Sequence, residues 1–133
     1  MLKMNDIRVG NTSILPSVNF ALTDTGTSLL YLDNLDYMKL IVELCAGLDC
    51  FETEDDLFAI KGCEPAHLPT IWIQLDRHMY KLAPQVYVVS LVYGDGSHDC
   101  IIQFRQNEEP IGYAVLGTVF LTNYFQIYDV TLN

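Results

Sequence analysis

Short apolar segments, each closed by a turn signal, are what most constrain the fold of this chain. Ile71, Ile73 and Leu75 alternate with Trp72 and Gln74, the period-2 pattern of a half-buried strand. Asp76-Arg77-His78 reads as a turn, and Met79 to Leu82 returns as a second strand. Met4 to Val9, a Gly10-Asn11 turn and Ser13 to Leu15 carry a hairpin signal. Phe20 to Thr23, Val86 to Val92, Cys100 to Arg105, Gly112 to Leu116 and Tyr124 to Val130 complete the expected strand set. Val86 to Val92 is rich in Val and Tyr and reads as buried. Segments this short must pair across their turns, so the chain is expected to be mainly β.

Two stretches read as small helices. Asp33 or Asn34 can cap a helix running to about Cys45, since a short polar side chain can accept from the free N–H groups of the first turn. Leu35, Met38, Ile41, Val42 and Cys45 then share one face, and Gly47 is placed to end it. A shorter turn of helix is expected from Thr118 to Asn123.

The length, 133 residues, is that of one domain. Half of the residues are apolar, enough to fill a core, and no repeat or Pro/Gly/Ser linker divides them. Seventeen acidic against seven basic residues leave a net charge of -10. Such a surface repels phosphate backbones and anionic lipids, which argues against nucleic-acid and membrane partners. No apolar run reaches the roughly 20 residues that span a bilayer. The opening Met1-Leu2-Lys3-Met4-Asn5-Asp6 holds no apolar signal core. Glu52, Glu54, Asp55 and Asp56 read as a solvated acidic loop.

Cysteines at 45, 50, 63 and 100 allow three pairings. Two disulfides formed in an oxidising compartment, or buried free thiols, both satisfy the composition. No Cys-x-x-Cys is present, and His67, His78 and His98 form no ligand pairs, so no metal site is expected. Asn11-Thr12-Ser13 is a glycosylation sequon beside the Gly10-Asn11 turn.

The sharpest local feature is Asp24-Thr25-Gly26-Thr27-Ser28, between the strand Phe20 to Thr23 and Leu29-Leu30. A polar cluster with a central Gly makes a tight loop, in which N–H groups and hydroxyls can surround a carboxylate. On shape alone it is equally an ordinary strand-end turn. Farther on, Tyr113-Ala114-Val115-Leu116-Gly117 is an apolar strand ending in Gly, followed by Val119-Phe120-Leu121 and then Tyr124 and Ile127-Tyr128-Asp129.

Together these two segments resemble the C-terminal lobe of a pepsin-like aspartic protease (family A1). There the catalytic loop follows an apolar strand, and a later apolar-apolar-Gly segment, here Val115, Leu116 and Gly117, threads beside it in a ψ-shaped motif. Leu2 to Ile14 resembles the opening strands of that lobe, and Asp33 to Ala46 its helix after the catalytic loop. Leu68-Pro69-Thr70-Ile71 looks like its Leu-Pro-x-Ile strand, and Tyr80-Lys81-Leu82-Ala83-Pro84 with Tyr87 resembles its Tyr-x-Leu-x-Pro…Tyr segment. The implied fold is a single mainly β lobe of closed or orthogonally packed sheets with short helices and a ψ-loop around the aspartate. By the same resemblance Cys63 pairs with Cys100, which leaves Cys45 for Cys50. That spacing can close if the helix ends near Gly47. Thr23, where the family usually has an apolar residue, departs from the pattern. So do the lack of a second Asp-Thr/Ser-Gly and the lack of the lobe's final strand.

The resemblance implies aspartic endopeptidase chemistry with no cofactor and a polypeptide substrate. Asp24 would be one of two aspartates that activate a water, Gly26 would donate its N–H to the carboxylate, Thr27 would tie two catalytic loops together, and Ser28 would bond the outer carboxylate oxygen. A dyad needs two aspartates and this chain offers one. Three readings follow: residues 1–133 are the C-terminal lobe of a longer protease whose N-terminal lobe is its partner, a lobe that pairs with a second copy of itself, or a non-catalytic peptide- or protein-binding remnant. The implied location is the secretory pathway, a lysosome or vacuole, or the extracellular space. Other chemistries fit less well. Ser97-His98-Asp99 is consecutive, cannot converge as a triad, and reads as a loop. Gly94-x-Gly96 lacks the third Gly of a dinucleotide site. Phe120, Tyr124, Phe125 and Tyr128 are expected in the core.

Overall fold

The computed structural model describes residues 1–121. The expected Tyr124 to Val130 strand, and Tyr124, Phe125 and Tyr128 with it, lie outside these residues, as does the end of the expected helix from Thr118. Residues 118–121 are helical.

The first half of the chain forms β1 (Leu2–Val9), β2 (Thr12–Ser13), β3 (Phe20–Thr23), β4 (Leu30–Leu32), α1 (Asn34–Leu44), β5 (Cys50–Glu52) and β6 (Phe58–Lys61). A 3₁₀ turn at Pro65–His67 leads into β7 (Ile71–Leu75), β8 (His78–Leu82), α2 (Pro84–Tyr87), β9 (Val88–Val92), β10 (His98–Ile102), β11 (Phe104–Gln106) and β12 (Ala114–Leu116). Among the described residues these strands make two sheets. The larger runs β11-β4-β12-β3-β1-β7-β8, with β2 hydrogen-bonded to β1; the smaller runs β5-β6-β10-β9. The protein is therefore mainly β with few short helices.

Strand β1 joins the two halves of the larger sheet. Its start pairs with β3 (Leu2↔Ala21), and the rest pairs with β7 from Met4↔Leu75 to Val9↔Ile71. The register shifts between Met4 and Asp6, a bulge that bends the strand between its two partners. The alternation read from the sequence holds: Ile7, Val9, Ile71, Ile73 and Leu75 point into the core, while Arg8, Trp72 and Gln74 lie on the outer face. Tyr87 and Phe104 pack edge to face in that core, which also holds Met4, Leu30, Leu32, Leu40, Ile60, Leu116 and Phe120.

Helix α1 starts as expected, with the Asp33 carboxylate accepting from the Leu35 N–H. Its buried face is the expected one only in part: Ile41 is buried and Cys45 packs against the core. Leu35, Met38 and Val42 are 53%, 47% and 64% exposed, and the core takes Tyr37, Leu40, Ile41 and Leu44. The deciding partner is Asp36. It is buried because its carboxylate accepts from the Ser17 N–H (2.7 Å), the Ser17 hydroxyl (2.9 Å) and the Val18 N–H (3.3 Å). Those bonds turn the helix about its axis relative to the Leu35/Met38/Val42 stripe.

The segment Val86 to Val92 also differs from expectation. Pro84–Tyr87 is a helical turn, and β9 is an edge strand in which Val88 alone is buried. Its Val and Tyr content marks it as a strand without saying which side is covered. Strands β4, β5 and β6 were not anticipated. Glu52 belongs to β5 and not to the acidic loop, since it pairs with Phe58 of β6, which in turn pairs with the distant β10. His98 and Asp99 lie in β10 and not in a loop; the Asp99 carboxylate is buried and accepts from the Tyr93 hydroxyl and the Gly62 N–H.

Candidate active site

The site is built where β3 ends. Thr23, the last residue of β3, pairs in parallel with Leu116 of β12. The chain then turns through Asp24, Thr25, Gly26, Thr27 and Ser28 and returns as β4, which pairs antiparallel with β12 at Val115↔Tyr31 and Leu116↔Leu30. Strand β12 thus lies between the two strands that the loop connects. A segment about 90 residues later in sequence, as the Thr118–Ser28 separation shows, passes through the loop's mouth in a ψ-shaped crossing.

Backbone bonds hold the crossing. The Asp24 N–H donates to the Leu116 carbonyl (3.1 Å), the Gly117 N–H to Leu29 (3.1 Å), the Thr118 N–H to Thr27 (2.7 Å) and the Val119 N–H to Ser28 (3.2 Å). Gly117 is required by space. A Cβ there would lie 2.3 Å from the carbonyl oxygens of both Leu29 and Thr27. Close backbone approach of this kind admits only a residue without a side chain.

Within the loop the Asp24 carboxylate is held at both oxygens. Oδ1 accepts from the Gly26 N–H (2.9 Å) and Oδ2 from the Thr27 hydroxyl (2.8 Å). Both donors favour the charged form, so the Gly26 N–H first, and then the Thr27 hydroxyl, hold the Asp24 carboxyl below its ordinary value of 3.8. Asp24 is half-buried and its neighbours Thr25 and Gly26 are exposed, so the carboxylate is fixed from within the loop and open to solvent on its rim. For Gly26 the observed contact is its N–H on the Asp24 carboxylate. The side-chain bond expected from Ser28 is made by Thr27 instead. Ser28 is exposed and contributes its carbonyl to Val119 and to the Thr118 hydroxyl (3.3 Å). The side-chain order along a loop this tight is set by its backbone turn, which the residue types alone do not reveal. The Leu116 carbonyl on the Asp24 N–H was not foreseen, and no sequence signal marks it.

The four cysteines pair as Cys63–Cys100 and Cys45–Cys50. Gly47, with φ +75°, reverses the chain after α1 and brings Cys50 back to the helix end. Cys63–Cys100 ties the loop before the 3₁₀ turn to β10. Ser97, His98 and Asp99 do not converge: the Ser97 hydroxyl donates to Asp95, His98 Nε2 pairs with Glu64, and Asp99 accepts from Tyr93. Among the described residues no group of three or more His, Cys, Asp and Glu is placed to hold a metal ion, and no helix is long and apolar enough to cross a membrane.

The sequence matches the eukaryotic aspartyl protease family over residues 1–133. It is 28% identical to pepsin A of Gallus gallus over 132 residues, which covers 96% of this chain and 32% of that protein. It is 27% identical to cathepsin D of Mus musculus, over 95% of this chain and 30% of the relative, and 27% identical to gastricsin of Cavia porcellus, over 84% and 27%. The chain therefore spans about a third of the length of the curated relatives it matches. With the family match running its whole length and the relatives sharing nearly all of it, this chain belongs to the eukaryotic aspartyl proteases.

Proposed function

We propose that this chain is the C-terminal lobe of an aspartic endopeptidase and that Asp24 is one of its two catalytic aspartates. The observation that carries this reading is the threading of β12 through the Asp24 loop, which fixes a carboxylate at the end of a strand with its rim open. The Cys63–Cys100 disulfide supports the choice of lobe, because the resemblance that implied the pair is to the C-terminal one. In the family, whose shared-proton carboxylate pair is the general example of its class, two carboxyl groups a few ångströms apart cannot both ionise easily. In this lobe alone the Gly26 N–H and the Thr27 hydroxyl favour the ionised form of Asp24. That form accepts a proton from a water held between the two groups, while the partner carboxyl protonates the scissile carbonyl. The roles reverse as the amine leaves, and no covalent intermediate forms. The second aspartate comes from an N-terminal lobe, which also completes the cleft for an extended polypeptide.

The test is peptide cleavage from acid to neutral pH by the protein that contains this chain, beside its Asp24→Asn and Asp24→Ala variants. Both variants are expected to lose cleavage and to keep their fold. Cleavage that survives Asp24→Ala overturns the assignment. Peptide binding without cleavage in the parent protein assigns the lobe to binding instead, and solution mass shows whether a second copy takes the place of the N-terminal lobe.

A further inference from the structure

The single Asn-x-Ser/Thr triplet of the chain, Asn11-Thr12-Ser13, sits on the β1–β2 hairpin, far in the sheet from the Asp24 loop. The hairpin closes at Val9↔Thr12 around a two-residue loop, Gly10-Asn11. Gly10 has φ +61°, and a left-handed glycine in the first loop position suits such a turn. Asn11 is therefore projected at the tip, where it is exposed and its side chain bonds to nothing among the described residues. Two disulfides mark a chain that folds in an oxidising compartment, the setting in which asparagine side chains receive sugars.

The surface beside the tip suits a sugar. Asn11 and Gly10 border a shallow groove on the outer face of β1, β7 and β8, lined by Asp6, Arg8, Trp72, Gln74 and Met79. Trp72 lies opposite Arg8 in the sheet, is half-buried and lines the groove. The Arg8 guanidinium is paired with the Asp6 carboxylate at 2.9 Å, which leaves the groove without a net charge of its own. A neutral ligand with C–H groups on one side and hydroxyls or amides at its rim matches this lining: the C–H groups meet the negative face of the indole, and Gln74 offers both a donor and an acceptor.

We infer that Asn11 is N-glycosylated and that the first sugars of its glycan lie over Trp72. In the transfer, the Asn11 side-chain nitrogen bonds to the anomeric carbon of a lipid-pyrophosphate-linked oligosaccharide. The anomeric C–O bond breaks with its electron pair on the departing lipid pyrophosphate, and the nitrogen gives up one proton to the transferase. Transfer precedes closure of the hairpin, because in the folded protein the Ser13 hydroxyl is occupied, donating to Asp6 (2.5 Å) and accepting from the Leu15 N–H (3.1 Å).

The experiment is secretion of the full protein from a eukaryotic host, followed by intact mass before and after an amidase that releases N-glycans. The expected result is loss of one glycan mass with Asp left at position 11 in the peptide map. Asn11→Gln and Ser13→Ala are secreted without that mass, and Ser13→Thr, which keeps the triplet, regains it. A parent protein of unmodified mass, or one whose glycan survives in Asn11→Gln, overturns the site. Placement is read from Trp72, the only tryptophan of the chain. Iodide quenching of its fluorescence falls in the glycosylated form and recovers on deglycosylation, and equal quenching in the two forms overturns the placement over Trp72.

Discussion

The backbone of Gly117 passes so close to Thr27 that a Cβ on Gly117 would stand 2.3 Å from the Thr27 carbonyl oxygen and at the same distance from the Leu29 carbonyl oxygen. Both neighbours are main chain, so neither can swing aside as a flexible side chain would. Gly117→Ala is expected to push β12 away from the Asp24 loop and to cost about 3 kcal/mol or more, the upper end of overpacking effects. Urea unfolding of the variant beside the parent measures it. Equal midpoints would show that the crossing has room to spare.

The Gly26 N–H first, and then the Thr27 hydroxyl, favour the ionised form of Asp24. Thr27→Val keeps the shape of the side chain and removes the hydroxyl that donates to Oδ2. The expected result is a rise in the Asp24 pKa toward its ordinary value of 3.8, while Thr27→Ser leaves it low. The sign for stability follows from the lowered value. Ionised Asp24 favours the folded state above pH 3.8, and that contribution fades as pH falls through the lower folded pKa. Carboxyl-carbon NMR titration of parent and variant reads the shift, and an unmoved titration would remove Thr27 from this role.

Asp36 accepts three hydrogen bonds from Ser17 and Val18 and anchors the segment before β3 to α1. Asp36→Ala takes the acceptor from the Ser17 and Val18 N–H groups and is expected to cost about 2 kcal/mol, in the range for a buried donor left unsatisfied. Asp36→Asn, which keeps one acceptor, should fall between it and the parent. Hydrogen exchange at the Ser17 and Val18 amides gives the local reading. Protection retained in Asp36→Ala would contradict this anchoring.

The two disulfides should differ in weight. Cys63–Cys100 closes a sequence separation of 37 and Cys45–Cys50 one of 5, so chain entropy assigns them about 4 and about 2 kcal/mol. Paired Cys→Ala variants, unfolded in urea, test the order. A larger loss from removing Cys45–Cys50 would mean that loop entropy is not what governs them. Peptide mapping without reductant checks the connectivity itself.

Much of the sheet was legible because alternation is a local signal. Ile71, Ile73 and Leu75 needed only their own neighbours to declare a strand and its inner face. The Asp24 loop was legible as a motif and not as geometry. Its residue types announce a held carboxylate, while the choice of Thr27 over Ser28 as donor depends on the turn. Strands β5 and β6 were not legible, since β6 is held by β10 some 40 residues onward, as in Asp99↔Lys61, and β5 pairs in turn with β6.

Local chemistry, then, was determined by sequence alone: the strands β7 and β8 and the turn between them, though His78 falls in β8 and not in that turn, the Asp33 cap of α1, the sequon, and the aspartate loop. Tertiary structure decided whatever depends on which surface meets which. Helix α1 carries apolar residues on more than one face, and it is the face next to Asp36, whose carboxylate accepts from the Ser17 and Val18 N–H groups, that puts Tyr37, Leu40, Ile41 and Leu44 in the core. Strand β9 is apolar enough to be central but stands at an edge, because among the described residues it pairs with β10 on one side and with no strand on the other. The passage of β12 between β3 and β4 joins residues far apart in the chain, and backbone hydrogen bonds through Leu116 and Gly117, which read the same in any sequence, hold it there.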